Sequence, residues 1–373
     1  MLGETHYAMD GMLKILEGLR IFRRVRRVKH RGFRRYEGSA KEICASILND
    51  CWNGTYFRTS AGHFTEFYSR DFGFCTESLL KLGYRREVLS TLDYALRIFS
   101  KHKRVATTIT PGGKPVDIYM YAPDSLALLM RSLRLAKAKS IVSENRQFLE
   151  DMTQDFSERV IDSSTGLVRK DSFFSSVKDN ALRTSSCYDN VMVGMLKESL
   201  RILGLSNPFK SFNYKKIVTE NFWKDTHFID DLSGKEFLSG DANLFPYWSG
   251  LITSQRMFRL SSGQIRRRGL DRPFPLRYYH KKDKDQKMLI VELFAKNYER
   301  DVIWMHLGML YLETVKRYDT VSFRRYLALY TRLIEKYKNF LEVFTPDGKP
   351  YMGPFYCSDE GMLWASIYLG MAK

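Results

Sequence analysis

The stretch Asn339-Phe-Leu-Glu-Val-Phe-Thr-Pro-Asp-Gly-Lys-Pro-Tyr351 sets one carboxylate, Glu342, among Leu341, Val343 and Phe344. Apolar neighbours disfavour the charged form of a carboxyl group, so a Glu placed this way can carry a raised pKa and take part in proton transfer. The same residues also suit a short strand whose carboxylate points into solvent, just before the Pro346-Asp-Gly turn. Spacing alone leaves both readings open. Other acids recur through the chain beside aromatics and turn formers: Asp71 after Arg70, then Asp124, Asp171, Asp179, Asp189 and Asp241.

Other chemistries find less support. Of the seven histidines, His63 and His306 are the two placed to face a cleft, and neither has a ligand partner four residues on, so no metal site is expected. The five cysteines (Cys44, Cys51, Cys75, Cys187, Cys357) are scattered and form no Cys-x-x-Cys pair. Thr110-Pro-Gly-Gly-Lys-Pro115 lacks the spacing of a phosphate-binding loop. No cofactor is expected.

The 373 residues carry a formal charge of +18, much of it between Arg20 and Arg35, with a second cluster at Arg266-Arg267-Arg268 and Lys281-Lys282-Asp283-Lys284. Basic runs bind nucleic acid or an anionic surface, or simply solvate one face, and no nucleic-acid motif of defined spacing decides between these. No apolar run approaches the ~20 residues of a membrane span. Charge interrupts Met12-Leu13-Lys14-Ile15-Leu16, so no signal peptide is read and a cytoplasmic location is expected. The 25 Phe and 22 Tyr serve a large core first, and apolar sugar faces stack on the same rings.

Helical periodicity accounts for most of the chain. A basic amphipathic segment runs from about Tyr7 to Val28, and Ser39 with Glu42 spells a capping box that opens a helix to Leu48. Helices are then predicted over 74–82 (ended by Gly83), 85–102, 124–138, 143–160, 188–203, 209–221, 242–260, 302–318, 322–337 and 359–371. Short turns and long loops bearing acids and aromatics alternate between them. A solenoid would show a repeat and short loops throughout. Alternation instead predicts an all-α toroid of helical hairpins, an (α/α)6 barrel over 39–373 with residues 1–38 packed on it, its long loops gathered into a cleft at one end.

Several segments carry a resemblance to the six-hairpin glycosidases, among them the amylo-α-1,6-glucosidase domain of glycogen-debranching enzymes, the processing α-glucosidases and the neutral invertases. Tyr68-Ser-Arg-Asp-Phe72 is similar to the Trp-x-Arg-Asp segment of their glycone subsite. Asn297-Tyr-Glu-Arg-Asp-Val-Ile-Trp304 resembles an element that precedes an inner helix, with Met305 where the family has Pro. Leu341-Glu-Val-Phe344 resembles the segment of the general base, and Ser175-Ser-Val-Lys-Asp-Asn180 that of the general acid, although only the Asp matches.

The resemblance implies an inverting, exo-acting α-glucosidase with Asp179 as acid and Glu342 as base, the two carboxyls roughly 6.5–9.5 Å apart with water between. Tyr68, Arg70, Asp71, Asp124, Asp189, Asp241 and Trp304 would then bind substrate. Asp171, Asp189 and Asp241 remain alternative acids, Asp189 also suiting a helix start and Asp241 an N-cap. Two rivals stay open: a sugar 2-epimerase, which works through histidines, and a non-catalytic barrel that binds nucleic acid or an anionic surface through Arg20–Arg35.

Overall fold

The computed structural model describes residues 20–236, 238–280, 287–288, 292 and 295–372. The basic segment before Arg20 and the Lys281–Lys284 cluster lie outside these residues.

Two kinds of helix alternate. One kind is buried on every side over most of its length. Pro123–Leu135 buries every residue from Pro123 to Leu133, and Cys187–Leu203 buries Cys187 to Leu196 without a break. The other kind buries a single stripe. Arg85–Lys101 packs inward through Val88, Thr91, Leu92, Ala95, Leu96 and Phe99, and Thr320–Tyr337 through Phe323, Tyr326, Tyr330 and Ile334. The first kind forms an inner layer, the second an outer one.

Among the described residues, the inner contacts run in sequence and return to their start. Ser69–Leu82 packs on Pro123–Leu135, that on Cys187–Leu203, then come Phe245–Trp248, Met305–Tyr318 and Ala365–Met371, which packs on Ser69–Leu82. Gly73 lets two of these helices approach closely, since a Cβ there would lie 2.6 Å from Leu128 Cβ. The turns leaving the inner helices are mostly short, such as Gly83-Tyr84, where Gly83 adopts φ 100° as a C-cap, the stretch 204–213 being longer. The connections entering them are long, spanning 52–68, 102–122, 161–186, 223–244, 268–304 and 338–364. Alternating helix direction therefore sends all the long connections to the N-terminal ends of the inner helices.

Among the described residues, strands are two-residue pairings within those connections. Phe67–Tyr68 pairs with Thr108–Ile109, and Ile303–Trp304 pairs antiparallel with Val343–Phe344.

Element boundaries differ from expectation where local signals mislead. The Ser39–Glu42 capping box is present and starts Ala40–Cys51. The span 242–260 is broken into Phe245–Trp248 and Gln255–Arg267, because Gly250 takes φ 79° and Ser254 caps the second helix. The helix expected from Ser143 starts at Arg146, after a separate turn of helix over Lys139–Glu144. Residues 20–31 are helical and dock through Val25 and Val28 against Cys357. No helix among the described residues is long and apolar enough to cross a membrane.

Candidate active site

The spacing puts Arg70 and Asp71 in a loop before a helix at Phe74. The structure puts them in the first turn of the inner helix, which starts at Ser69. Tyr68 supplies no side-chain cap there. The adjacent loop ties down the helix start instead: Ser69 N donates to Thr107 O at 2.8 Å and Ser69 Oγ to Ala106 O at 2.8 Å. A start fixed by a tertiary contact leaves no cap residue to read.

Arg70 is the hub of one half of the site. Its Nε lies 2.6 Å from Asp124 Oδ2, while Nη1 and Nη2 reach the two oxygens of Asp179 at 3.0 and 3.1 Å. Asp124 occupies the first turn of the next inner helix, fully buried, and also accepts from Tyr188 Oη at 2.8 Å. Asp179 comes from the loop above. Its own amide and that of Asn180 donate to Glu299 at 2.9 and 3.0 Å. Burial pushes the Asp179 carboxyl up, Arg70 pulls it down, and nearby Asp124 pushes it up again; the net direction is upward. Its side chain keeps 22% exposure, so this carboxyl faces the opening.

Glu342 is the centre of the other half. It is 2% exposed and accepts three hydrogen bonds, from Tyr298 Oη, from Tyr356 Oη at 2.7 Å and from Asp359 N at 2.9 Å. Burial raises this carboxyl and the charge on Asp359 adds to it, against the lowering effect of His63, Tyr298 and the Asp359 amide. The strand pairing sets Trp304 opposite Val343, and Met305 N donates to Glu342 O at 3.1 Å. Trp304 Nε1 in turn donates to Tyr298 O at 3.0 Å. Consecutive residues thus serve both halves: Tyr298 holds Glu342, and Glu299 holds the Asp179 loop.

Asp71 belongs to both halves. It accepts from Trp364 Nε1 at 2.8 Å, and its carboxyl is pushed up to about 7, mainly by burial, with Asp179 and Glu342 adding to the rise. Tyr68 is half-buried, its ring edge-on to Phe64 at 5.7 Å.

The remaining candidates make no direct contact with Arg70 or Glu342, although Asp189 feels the charges of Asp124 and Arg70. Asp189 is buried in the first turn of Cys187–Leu203, bonded to the N-cap Ser186 at 2.5 Å and pushed up to about 7, chiefly by burial. Asp241 neither caps a helix nor joins the Arg70 group. It is fully buried between Lys178 Nζ at 3.2 Å and Arg183 Nη1 at 2.9 Å, with Asp230 completing the cluster. Asp171 is exposed and paired with Arg169 at 2.9 Å.

The two histidines are likewise engaged. His306 stacks on Phe74 at 5.9 Å, and burial, then Arg70, drives it down to about 3, so it is neutral. His63 Nδ1 lies 2.9 Å from Asp359 Oδ1. Among the described residues no His/Cys/Asp/Glu group has the arrangement of a metal site.

Cavities of about 320 Å³ beside His102–Val105 and about 520 Å³ around Lys197 and Phe212 contain none of the candidate carboxylates, so the site is defined by side-chain geometry.

No family model and no curated protein matches this chain by sequence. Solved structures do match. A GH63 mannosylglycerate hydrolase from Thermus thermophilus, in complex with Tris and D-glycerate, aligns with TM-score 0.63 at 12% identity, covering 90% of this chain and 100% of that one. A glycosidase variant in complex with glucose aligns with TM-score 0.64 at 12% identity, covering 89% and 95%. The fold is that of the six-hairpin glycosidases. Within it, Tyr298, Glu299, Tyr356, Asp359 and Trp364 contact the candidate carboxylates or their loops and are residues that motif reading passes over. Tyr298 and Glu299 do fall inside the Asn297–Trp304 segment quoted above, which was the available signal; the partners at 356–364 had none.

Proposed function

We propose that this chain is a glycoside hydrolase that removes terminal α-linked glucose from a small or chain-end glucoside with inversion at the anomeric carbon. The observation that carries the reading is the pair of separately held, up-shifted carboxyls, Asp179 and Glu342, at one end of a six-hairpin fold. Glucose is favoured by the resemblance of the sequence segments and by the sugar bound in one structural neighbour.

In this reading Asp179 is the general acid. It is the partly exposed carboxyl, and burial shifts it upward against the pull of Arg70, the direction that favours the proton-carrying form a general acid uses. Glu342 is the general base that draws a proton from water on the opposite sugar face. Its three donors fix which lone pair remains for that water. Asp71 accepts from sugar hydroxyls beside Trp364, and Trp304 lends an aromatic wall. The histidine arrangement argues against 2-epimerase chemistry, because a neutral His306 stacked on Phe74 is a poor acid and His63 is committed to Asp359.

The test is a panel of α-linked di- and oligosaccharides with product anomers followed by NMR, on wild type and Glu342→Gln. Wild type is expected to release the β-anomer first, and the variant to lose turnover by about 10²–10⁴-fold. Undiminished turnover in Glu342→Gln removes Glu342 from the mechanism.

A further inference from the structure

The basic run holds one arginine that turns inward. Arg24, only 6% exposed, donates from Nη1 to Cys357 O at 2.9 Å and from Nη2 to Ser358 O at 2.7 Å, and lies 3.2 Å from Asp359 Oδ1. A guanidinium is removed from water this far only where carbonyls and a carboxylate replace its hydration. Asp359 is held from its other side by Ser60 Oγ at 2.5 Å, His63 N at 3.0 Å and Phe64 N at 3.2 Å, and its carboxyl sits below the usual range despite burial, through His63 and Arg24.

This clamp bears directly on Glu342. Glu342 N donates to Asp359 O at 3.0 Å, and Asp359 N donates back to the Glu342 carboxylate at 2.9 Å. Arg27 and the Arg34 amide, the latter at 2.7 Å, bind the next residue, Glu360. Resting on the reading of Glu342 as the base, we propose that Arg24 is a positioning residue for it: the N-terminal helix holds the 356–360 loop so that the Asp359 amide and Tyr356 hydroxyl stay on Glu342, and it offsets the charge of Asp359. The groups facing Glu342 are Tyr298, Tyr356, Asp359, His63 and Asp71. Within that set Asp359 raises the base, and Arg24 counters Asp359.

The experiment compares Arg24→Met, Arg24→Lys and Arg23→Met in the full chain, Arg23 being exposed on the same helix. Hydrogen exchange is read over residues 356–361, and kcat, KM and the pH profile on a glucoside that wild type hydrolyses. Arg24→Met is expected to speed exchange, to lower kcat about tenfold or more with KM little changed, and to move the acidic limb to higher pH. Arg24→Lys should move it the same way by less, which keeps the test open if the Met variant does not fold. Arg23→Met should match wild type.

Faster exchange with an unmoved acidic limb reduces Arg24 to a structural role and overturns the proposal, as does an equal displacement in Arg23→Met. Unchanged exchange overturns it directly. A wild type that hydrolyses no glucoside defeats the base assignment and the proposal with it, and is distinguished by exchange still responding to Arg24.

Discussion

Lys178 and Asp179 are adjacent in the chain and enter two opposite kinds of buried charge. Lys178 Nζ, with no exposure, lies 2.8 Å from Asp230 and 3.2 Å from Asp241, above the Tyr279 ring at 4.0 Å, and Arg183 closes the group. Two cations face two carboxylates, so charges balance and the Asp230 carboxyl falls below its usual range despite burial. Asp179 joins a group in which Arg70 faces Asp124, Asp179 and Asp71 together. There the anions outnumber the cation, and burial, with the neighbouring carboxylates adding to it, outweighs Arg70 so that Asp71 and Asp179 rise. A balanced cluster fixes a loop. An unbalanced one shifts its carboxyls upward, the direction that the proposed acid–base chemistry would use.

The comparison is broken most forcefully at Lys178. Lys178→Met leaves Asp230 and Asp241 facing Arg183 alone, and removing one partner of a buried ion group costs about 3–5 kcal/mol. A large drop in thermal midpoint is expected; a midpoint near wild type would mean the cluster does not hold the Asp179 loop. Asp179→Asn should behave in the opposite way. It removes one anion from an anion-rich group and keeps an acceptor for Arg70, so stability should stay within about 1 kcal/mol of wild type while turnover falls by about 10²–10⁴-fold. Equal losses of stability in the two variants would erase the distinction.

The hairpin alternation was legible because it rests on local signals: helical periodicity, the alternation of short turns with long acid-and-aromatic loops, Gly83 as a C-cap and the Ser39–Glu42 capping box. The burial of Glu342 was legible through its apolar flanks. Its partners were not, since Tyr298 comes from the 268–304 connection and Tyr356 and Asp359 from the far arm of its own connection, and only folding brings them to it. Asp241 shows the converse. A Ser-Gly-Asp-Ala-Asn stretch before a helix suggests capping or an open loop, and nothing local discloses that Lys178 and Arg183 have been buried against it. Sequence shows which residues can carry charge. The balance of charge is a property of the packed fold.

The smallest effect expected from that balance is in pH dependence, where the two groups carry opposite signs. Asp71 stands near 7 in the fold, against about 3.9 for an unfolded Asp. A raised carboxyl contributes stability that is complete below the unfolded value and is lost as pH rises through the folded one. Asp230 is depressed, so its contribution is present above about pH 3.9 and is lost as pH falls toward its folded value. Wild type should therefore lose stability between about pH 4 and 7 through Asp71, with Asp189, also near 7, adding to the same decline. Asp71→Asn should narrow the gap in thermal midpoint between pH 5 and pH 8 by about 1–3 °C and leave the fall below pH 4 as it was. A variant that changes the acid side instead would place the excess of protons in the wrong cluster.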